Sequence, residues 1–408
     1  MANNNSSDSG NDNEPRKEKL EETYDIKTDE FMDEVRRSLS AQVNETMKNE
    51  PENFNPEEHK GEKKKKHPGK VFKVVSIAIL ALAFLAVLMV STDFGKSLII
   101  RMIGSYSYNK LNYEETPQVT KPPEENEQPQ PGVPTTAVQE PAKPDYISNI
   151  LLIGVETFEG ALNTDTMIIA SLDSKNNVIK LTSLMRDLYV QIPGHSNAKL
   201  NSAYAKEGIQ GLYDTIKVNF DVEIDGYALV DFKDFERVID YLGGVDITLT
   251  RQEANYLNST NYISNPSYRN VVAGTQHMNG NQVLGYCRVR KVPTATESND
   301  FGRTQRQRIV LEKIFEKMRS KNIIQLGLIM NKILNNIDIK TDISKSEYND
   351  YLQQAVYLRE NAIQTLRIPT DDNYTNESYS GTYAKDVLVP RSWDRTRKDI
   401  HEFIYGTD

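Results

Sequence analysis

Six residues within positions 288–307 have the types that hold a polyphosphate. Gly285-Tyr286-Cys287-Arg288-Val289-Arg290 is followed by Asp300-Phe301-Gly302-Arg303-Thr304-Gln305-Arg306-Gln307. Read as an extended piece, the first segment turns Arg288 and Arg290 to one face. Read as a helix, the second puts Asp300, Arg303, Arg306 and Gln307 on one face. Ile309, Val310 and Leu311 open its apolar side, and Arg308 falls on another face. Four converging guanidiniums repel one another, and arginine does not shed its proton to relieve that. Such a cluster calls for an anion, and planar forks match phosphate oxygens best. A polyphosphate site is therefore predicted. The same repulsion predicts that the ligand-free domain gains stability when one of these arginines is removed.

Composition narrows the classes. The chain has 408 residues and a net charge of −9, which suggests more than one unit and argues against a general nucleic-acid partner. Cys287 is the single cysteine, so no intrachain disulfide forms and no Cys/His spacing for zinc exists.

The elements that must position the arginines come late in the chain. Residues 1–62 are polar, with 17 acidic against 8 basic side chains, and read as a disordered cytoplasmic tail. Within it, Phe31, Val35, Leu39, Val43 and Met47 recur every four residues, an amphipathic helix capped by Asp29. Residues 63–73 carry six lysines. Residues 74–92 carry no charge and are mostly Val, Ile, Leu, Ala and Phe. Nineteen helical residues rise about 28 Å, enough for a membrane span. Some 60 polar residues come before the run, so it reads as an uncleaved signal-anchor in a single-pass cell-membrane protein. Positive-inside bias puts the N-terminus in the cytoplasm and the C-terminal domain outside. Residues 93–145 read as a helical stalk and a spacer rich in proline. From 146 to 408 the composition is globular. Strands are expected at Asn149–Val155, Thr166–Leu172, Val178–Ser183, Tyr227–Val230, Val245–Leu249 and Ile363–Ile368. Helices are expected at Asn201–Asn219, Phe232–Leu242, Gly280–Tyr286, Arg303–Lys321, Ile324–Leu334, Ser344–Arg359 and Trp393–Tyr405. This alternation predicts an α/β fold, a mixed central sheet sandwiched by helices.

Short motifs recur along that domain in a fixed order. The first strand ends in Ile153-Gly154-Val155-Glu156, and Asn163-Thr164-Asp165-Thr166 opens the second. The third runs into Ser183-Leu184-Met185-Arg186-Asp187. Lys199-Leu200-Asn201-Ser202-Ala203-Tyr204-Ala205, the stretch from Phe235 to Asp246 and the arginine stretch follow. This ordered set, behind an anchor, resembles the LytR-CpsA-Psr family of cell-envelope phosphotransferases over about residues 147–320.

The resemblance implies transfer of a glycopolymer, such as teichoic acid or capsule, from a polyprenyl-pyrophosphate carrier to peptidoglycan of a Gram-positive wall. It implies Mg²⁺ (or Mn²⁺) on Glu156 and Asp165. It implies pyrophosphate contacts from Arg186, Lys199, Arg288, Arg290, Arg303 and Gln307, to which the shared helical face adds Arg306, with Asp165, Arg186, Asp300 and Arg303 catalytic. Elementary chemistry agrees. Magnesium prefers carboxylate oxygens completed by substrate phosphates, and phosphoryl transfer needs mainly charge neutralisation and alignment. Two departures stand out. Glu156 replaces the family's usual Asp, and Asn163 its usual Arg. An alternative is a protein that binds or hydrolyses polyprenyl pyrophosphate without ligase activity. A transcriptional regulator is disfavoured, because the expected cytoplasmic part is acidic. Asp187 reads as a salt-bridging or capping residue, and Tyr204 and Tyr227 as core or rim.

Overall fold

Val, Ile, Leu and Met fill both faces of the stretch from Ile147 to Leu184, the pattern of strands covered by helices on either side. The structure is a computed structural model that describes residues 91–115, 143–158, 161–358, 361, 363–379 and 385–406. The expected tail, its amphipathic helix, the basic segment, the apolar run up to residue 90 and most of the proline-rich spacer lie outside the described residues. Among the described residues, no helix is long and apolar enough to cross a membrane.

In chain order, α1 (Asp93–Tyr108) and β1 (Asn112–Tyr113) come first. They are followed by β2 (Ile147–Phe158), β3 (Ala161–Asp173), β4 (Val178–Leu184), β5 (Tyr189–Val190), β6 (Ala198–Lys199) and α2 (Asn201–Phe220). Then come β7 (Gly226–Asp231), α3 (Phe232–Tyr241), β8 (Val245–Leu249), α4 (Arg251–Ser259), β9 (Gly274–Met278), α5 (Gly280–Arg288) and α6 (Asn299–Arg319). The chain closes with α7 (Ile323–Leu334), β10 (Lys340–Thr341), α8 (Lys345–Leu358), β11 (Gln364–Ile368), β12 (Tyr374–Glu377), β13 (Val387–Pro390) and α9 (Trp393–Tyr405).

Seven strands make one mixed sheet in the order β1-β10-β7-β2-β3-β4-β11. The β2–β3 and β3–β4 pairs are antiparallel, while β2–β7 and β4–β11 are parallel. Leu151, Ile153, Met167 and Ile169 face one core, closed by Leu212, Ile216 and Phe220 of α2 and by Ile400 and Ile404 of α9. Ile168, Ala170 and Leu172 face a second core with Leu358 of α8 and Leu311 and Phe315 of α6. The sandwich expected from the sequence is therefore present.

A third core lies beside the sheet, where β8, α4 and α5 bury Ile247, Leu249, Leu257 and Val283 against Val310 and Ile314 of α6. Helix α6 thus packs into two cores at once, which fixes its rotation about its own axis. Helix α1 is also built into the fold. Ile100 is buried, Ser107 Oγ lies 3.1 Å from Tyr348 Oη, and β1 adds an edge to the sheet through β10. The folded unit begins well ahead of Tyr146.

Candidate active site

Strand β2 runs parallel to β7, and a shallow hollow opens where both end, the usual place for a ligand in such sheets. The β2–β3 ladder shifts register between Gly154 and Val155: Gly154 pairs with Thr166, but Val155 pairs with Thr164. Asp165 is the extra residue of this bulge, and bulges re-aim side chains. By parity Asp165 would follow Met167 and Ile169 into the core. The bulge turns it instead into a cavity of about 220 Å³ that Glu156 also lines. A Cβ on Gly154 would sit 3.1 Å from Thr166 Cβ, so any larger residue there fits only if Thr166 gives way by a few tenths of an ångström.

Three arginines bracket Asp165 and Asp300. Arg303 Nη1 lies 3.4 Å from Asp165 Oδ1, and Arg303 Nη2 lies 2.9 Å from Asp300 Oδ2. Arg290 reaches Asp300 at 3.5 Å and Asp165 at 4.0 Å. Arg186 donates to Asp165 Oδ1, with its Nε 3.5 Å from Asp187 and 3.8 Å from Asp300. Arg288 donates to Glu156 Oε1 at 2.6 Å, and its guanidinium lies 5.6 Å from the centre of the Phe232 ring. Lys199 pairs with Asp187 at 2.8 Å, so Asp187 is the salt-bridging residue expected. Tyr227 is a core residue. Glu156, Asp165, Arg288, Arg290, Arg303 and Gln307 share the cavity wall.

Burial pushes the Asp165 carboxyl up, but Arg186, Arg303 and Arg290 outweigh it and hold it below its ordinary value. Burial pushes Arg186 down, and Asp300, Asp165 and Asp187 more than reverse that. Arg303 is lowered, by burial first and by Arg186 and Arg290 beside it, with Asp300 opposing. The Cys287 thiol in the cavity wall is pushed up to about 12 by burial, so it stays protonated at neutral pH.

Several expectations need correction. Arg288 is the last residue of α5, so Arg288 and Arg290 are not two residues of one extended face. They reach the cavity from a helix end and from the segment after it, and they pair with different acids. Arg306 is not in the cavity. It is 0 % exposed, and it donates to Glu253 Oε1 (2.9 Å), Val289 O (3.0 Å) and Val292 O (2.7 Å). On α6, Asp300, Arg303 and Gln307 share the cavity side, and one step of three residues beyond Arg303 already turns inward. Arg308 falls on another face, as expected, but that face is buried as well, and its guanidinium lies 3.4 Å from Glu297. Nor do the arginines simply repel. Arg186, Lys199, Arg288, Arg290 and Arg303 face Glu156, Asp165, Asp187 and Asp300, so removing one arginine strands a carboxylate instead of relieving strain.

Phe232, Tyr262 and Glu253 escaped the sequence reading. Phe232 follows Asp231, which caps α3 at the end of β7, so the strand-to-helix junction was a usable signal. Tyr262 lies in a segment without motif or periodicity. Glu253 had a signal, since it completes a capping box with Thr250.

A mixed sheet between helices, with an arginine–carboxylate cavity at its strand ends, defines an α/β protein with a charged site at the edge of its sheet. The chain belongs to the LytR_cpsA_psr family, which matches residues 106–391. The polyisoprenyl-teichoic acid–peptidoglycan teichoic acid transferase TagV of Bacillus subtilis (strain 168) is 28% identical over 265 residues, 63% of this chain and 64% of that protein. The regulatory protein MsrR of Staphylococcus aureus (strain COL) is 33% identical over 181 residues, 44% of this chain and 51% of that protein. The chain thus matches between about half and two thirds of the length of these relatives. The crystal structure of B. subtilis TagV aligns with a TM-score of 0.50 and 27% identity, covering 65% of this chain and 100% of that one.

Proposed function

We propose that this protein transfers a glycopolymer from a polyprenyl-pyrophosphate carrier to a cell-wall acceptor, peptidoglycan, on the outer side of the cell membrane. The observation that carries the reading is the cavity wall, where Arg303 and Arg290 bridge Asp165 and Asp300 beside the Arg288–Glu156 pair. The family and the name of TagV support it.

The charge balance says how the site would work. Without ligand, five cations face four carboxylates, so the cluster is nearly neutral. A diphosphate gains from the guanidiniums only if it displaces the acids or if something neutralises them. The residues fit Mg²⁺: Glu156 and Asp165 share one cavity, and the closest guanidinium contacts go to only one oxygen of each. Among the described residues no three metal-ligating side chains gather, so phosphate oxygens and water would complete the shell. When bound, such an ion would offset the carboxylates and polarise the phosphates.

The protein's own residues do the rest. Arg288, Arg290 and Arg303 hold the diphosphate by charge-assisted bonds, and Gln307 adds a neutral contact. Arg303, which lines the cavity, keeps a buried Nε without a hydrogen-bond partner, a donor in reserve. Arg186 and Lys199 hold Asp165 and Asp187 in place. An acceptor hydroxyl forms the new P–O bond, the bond to the carrier phosphate breaks, and the carrier leaves as polyprenyl phosphate. The arginines neutralise charge on the transferred phosphoryl oxygens.

The test uses the full chain in detergent with a lipid-linked glycopolymer, with and without peptidoglycan. Wild type should form polymer–peptidoglycan conjugate only with a divalent ion. Arg303→Lys keeps the charge and loses the fork, so it should lose transfer nearly as fully as Arg303→Ala, roughly 10-fold or more. Free phosphorylated glycan as the sole product would favour the hydrolase alternative. Conjugate formation that survives Arg303→Ala would refute the assignment of the site.

A further inference from the structure

Beside the cavity, across the Tyr256–Tyr262 pair, lies a second, open and shallow groove of about 370 Å³. On one side α4 presents Gln252, Asn255, Tyr256 and Ser259, which at i, i+3, i+4 and i+7 lie along one helical face. On the other side lies Lys291-Val292-Pro293. The two hollows have no lining residue in common, but they are neighbours. The Tyr256 and Tyr262 rings are 5.5 Å apart between centres, and Tyr262 lines the first cavity. Arg290 and Lys291 are consecutive and line one hollow each. Buried Arg306 ties the parts together, since it grips the carbonyls of Val289 and Val292 and also Glu253 of α4. Groove and cavity are thus held in fixed relation.

The lining of the groove differs from that of the cavity. Gln252, Asn255 and Lys291 are exposed, and their side chains make no hydrogen bond or ion pair among the described residues. Side-chain amides match hydroxyl and acetamido groups, and a tyrosine ring offers a flat face for a pyranose. A single cation and no carboxylate line it. A phosphate-rich polymer would call for several cations, whereas a mostly neutral sugar chain with an occasional carboxylate needs no more than Lys291.

We propose that this groove binds the acceptor, an N-acetylated saccharide chain, and delivers its hydroxyl past Tyr262 to the phosphorus held in the cavity. The assignment of the bound chain as acceptor rests on the transfer reading above. In the step it serves, the hydroxyl oxygen bonds to phosphorus, the bond to the carrier phosphate breaks with its electron pair leaving on that phosphate, and the hydroxyl proton passes to solvent.

The experiment measures two probes on the full chain in detergent: chitotetraose for the groove and geranyl pyrophosphate for the cavity. Asn255→Ala combined with Lys291→Ala alters exposed side chains only, so the fold is preserved; Tyr256→Ala tests the ring. Each variant should weaken chitotetraose binding roughly 10-fold; the double variant, whose side chains are exposed, should leave geranyl pyrophosphate binding within about twofold, and it is the double variant that decides whether the two probes move together. The proposal is overturned if wild type does not bind chitotetraose, if the double variant binds it as wild type does, or if both probes weaken together, which would make the groove part of the donor site. If chitotetraose behaves as expected while wild type ignores geranyl pyrophosphate, the saccharide groove stands and the reaction assigned to the cavity falls.

Discussion

Two arginines one helical turn apart on α6 have opposite fates. Arg303 faces the cavity and Arg306 faces inward, although both are almost fully buried. Arg306→Met would leave Glu253 buried without its charge partner, at a cost of about 3–5 kcal/mol. Combining it with Glu253→Gln removes that charge and should restore much of the stability. Chemical denaturation of the single and double variants checks this, and a double variant no more stable than Arg306→Met would contradict it. Asp165 gives a pH prediction. Its carboxyl lies below the ordinary 3.8 in the folded protein. Between the two values the unfolded chain binds more protons, so the stability that Asp165 contributes is complete above the ordinary value. It is lost as pH falls through the lower folded value. Acid unfolding of Asp165→Asn, followed by circular dichroism, should therefore depend less steeply on pH below about 4 than that of wild type.

The β2–β3 hairpin decides where Asp165 points. Its bulge lies beside a close approach at Gly154, which a side chain would crowd. Gly154→Val should cost about 1–3 kcal/mol through crowding against Thr166. It should also weaken pyrophosphate binding by more than the loss of folded protein explains. Titration of geranyl pyrophosphate at a temperature where the variant is fully folded separates the two effects; unchanged affinity there would show that the bulge does not orient the site. Helix α6 is the second positioning element. It is wedged between two cores, so its face toward the cavity is set by apolar residues on its other sides.

At the scale of the molecule, the sheet recruits chain from ahead of the proline-rich spacer. Strand β1 pairs with β10, Lys340 binds Glu114 at 2.6 Å, and Tyr227 Oη donates to Glu114. Helix α1 packs on α7 closely enough that a Cβ on Gly327 would meet Ile103. A chain starting at Tyr146 loses all of these contacts. It should melt at least about 5 °C below one starting at Thr92, while both keep the cavity. Calorimetry of the two truncated chains decides this, and equal melting temperatures would show that α1 and β1 are not part of the cooperative unit.

Much of the element pattern was legible without coordinates. The β8 strand and α9 helix fall where periodicity puts them, because each buries one regular face and is bounded by turn or capping residues. Asp165, Glu156, Arg288, Arg290, Arg303 and Gln307 were picked out by type, spacing and resemblance, and they do meet in one cavity. Sequence failed where an orientation depends on distant partners. A one-residue bulge redirected Asp165, and alternation along a strand does not announce a bulge. The inward turn of Arg306 was invisible because its partners are Glu253, 53 positions away, and two backbone carbonyls. Helical spacing supplies candidates for a shared face, but only packing against two cores selects which way that face turns. Charge followed the same logic: composition counts arginines and acids separately, and only the tertiary structure brings them within 4 Å of one another, turning an apparent excess of repulsion into a nearly balanced cluster.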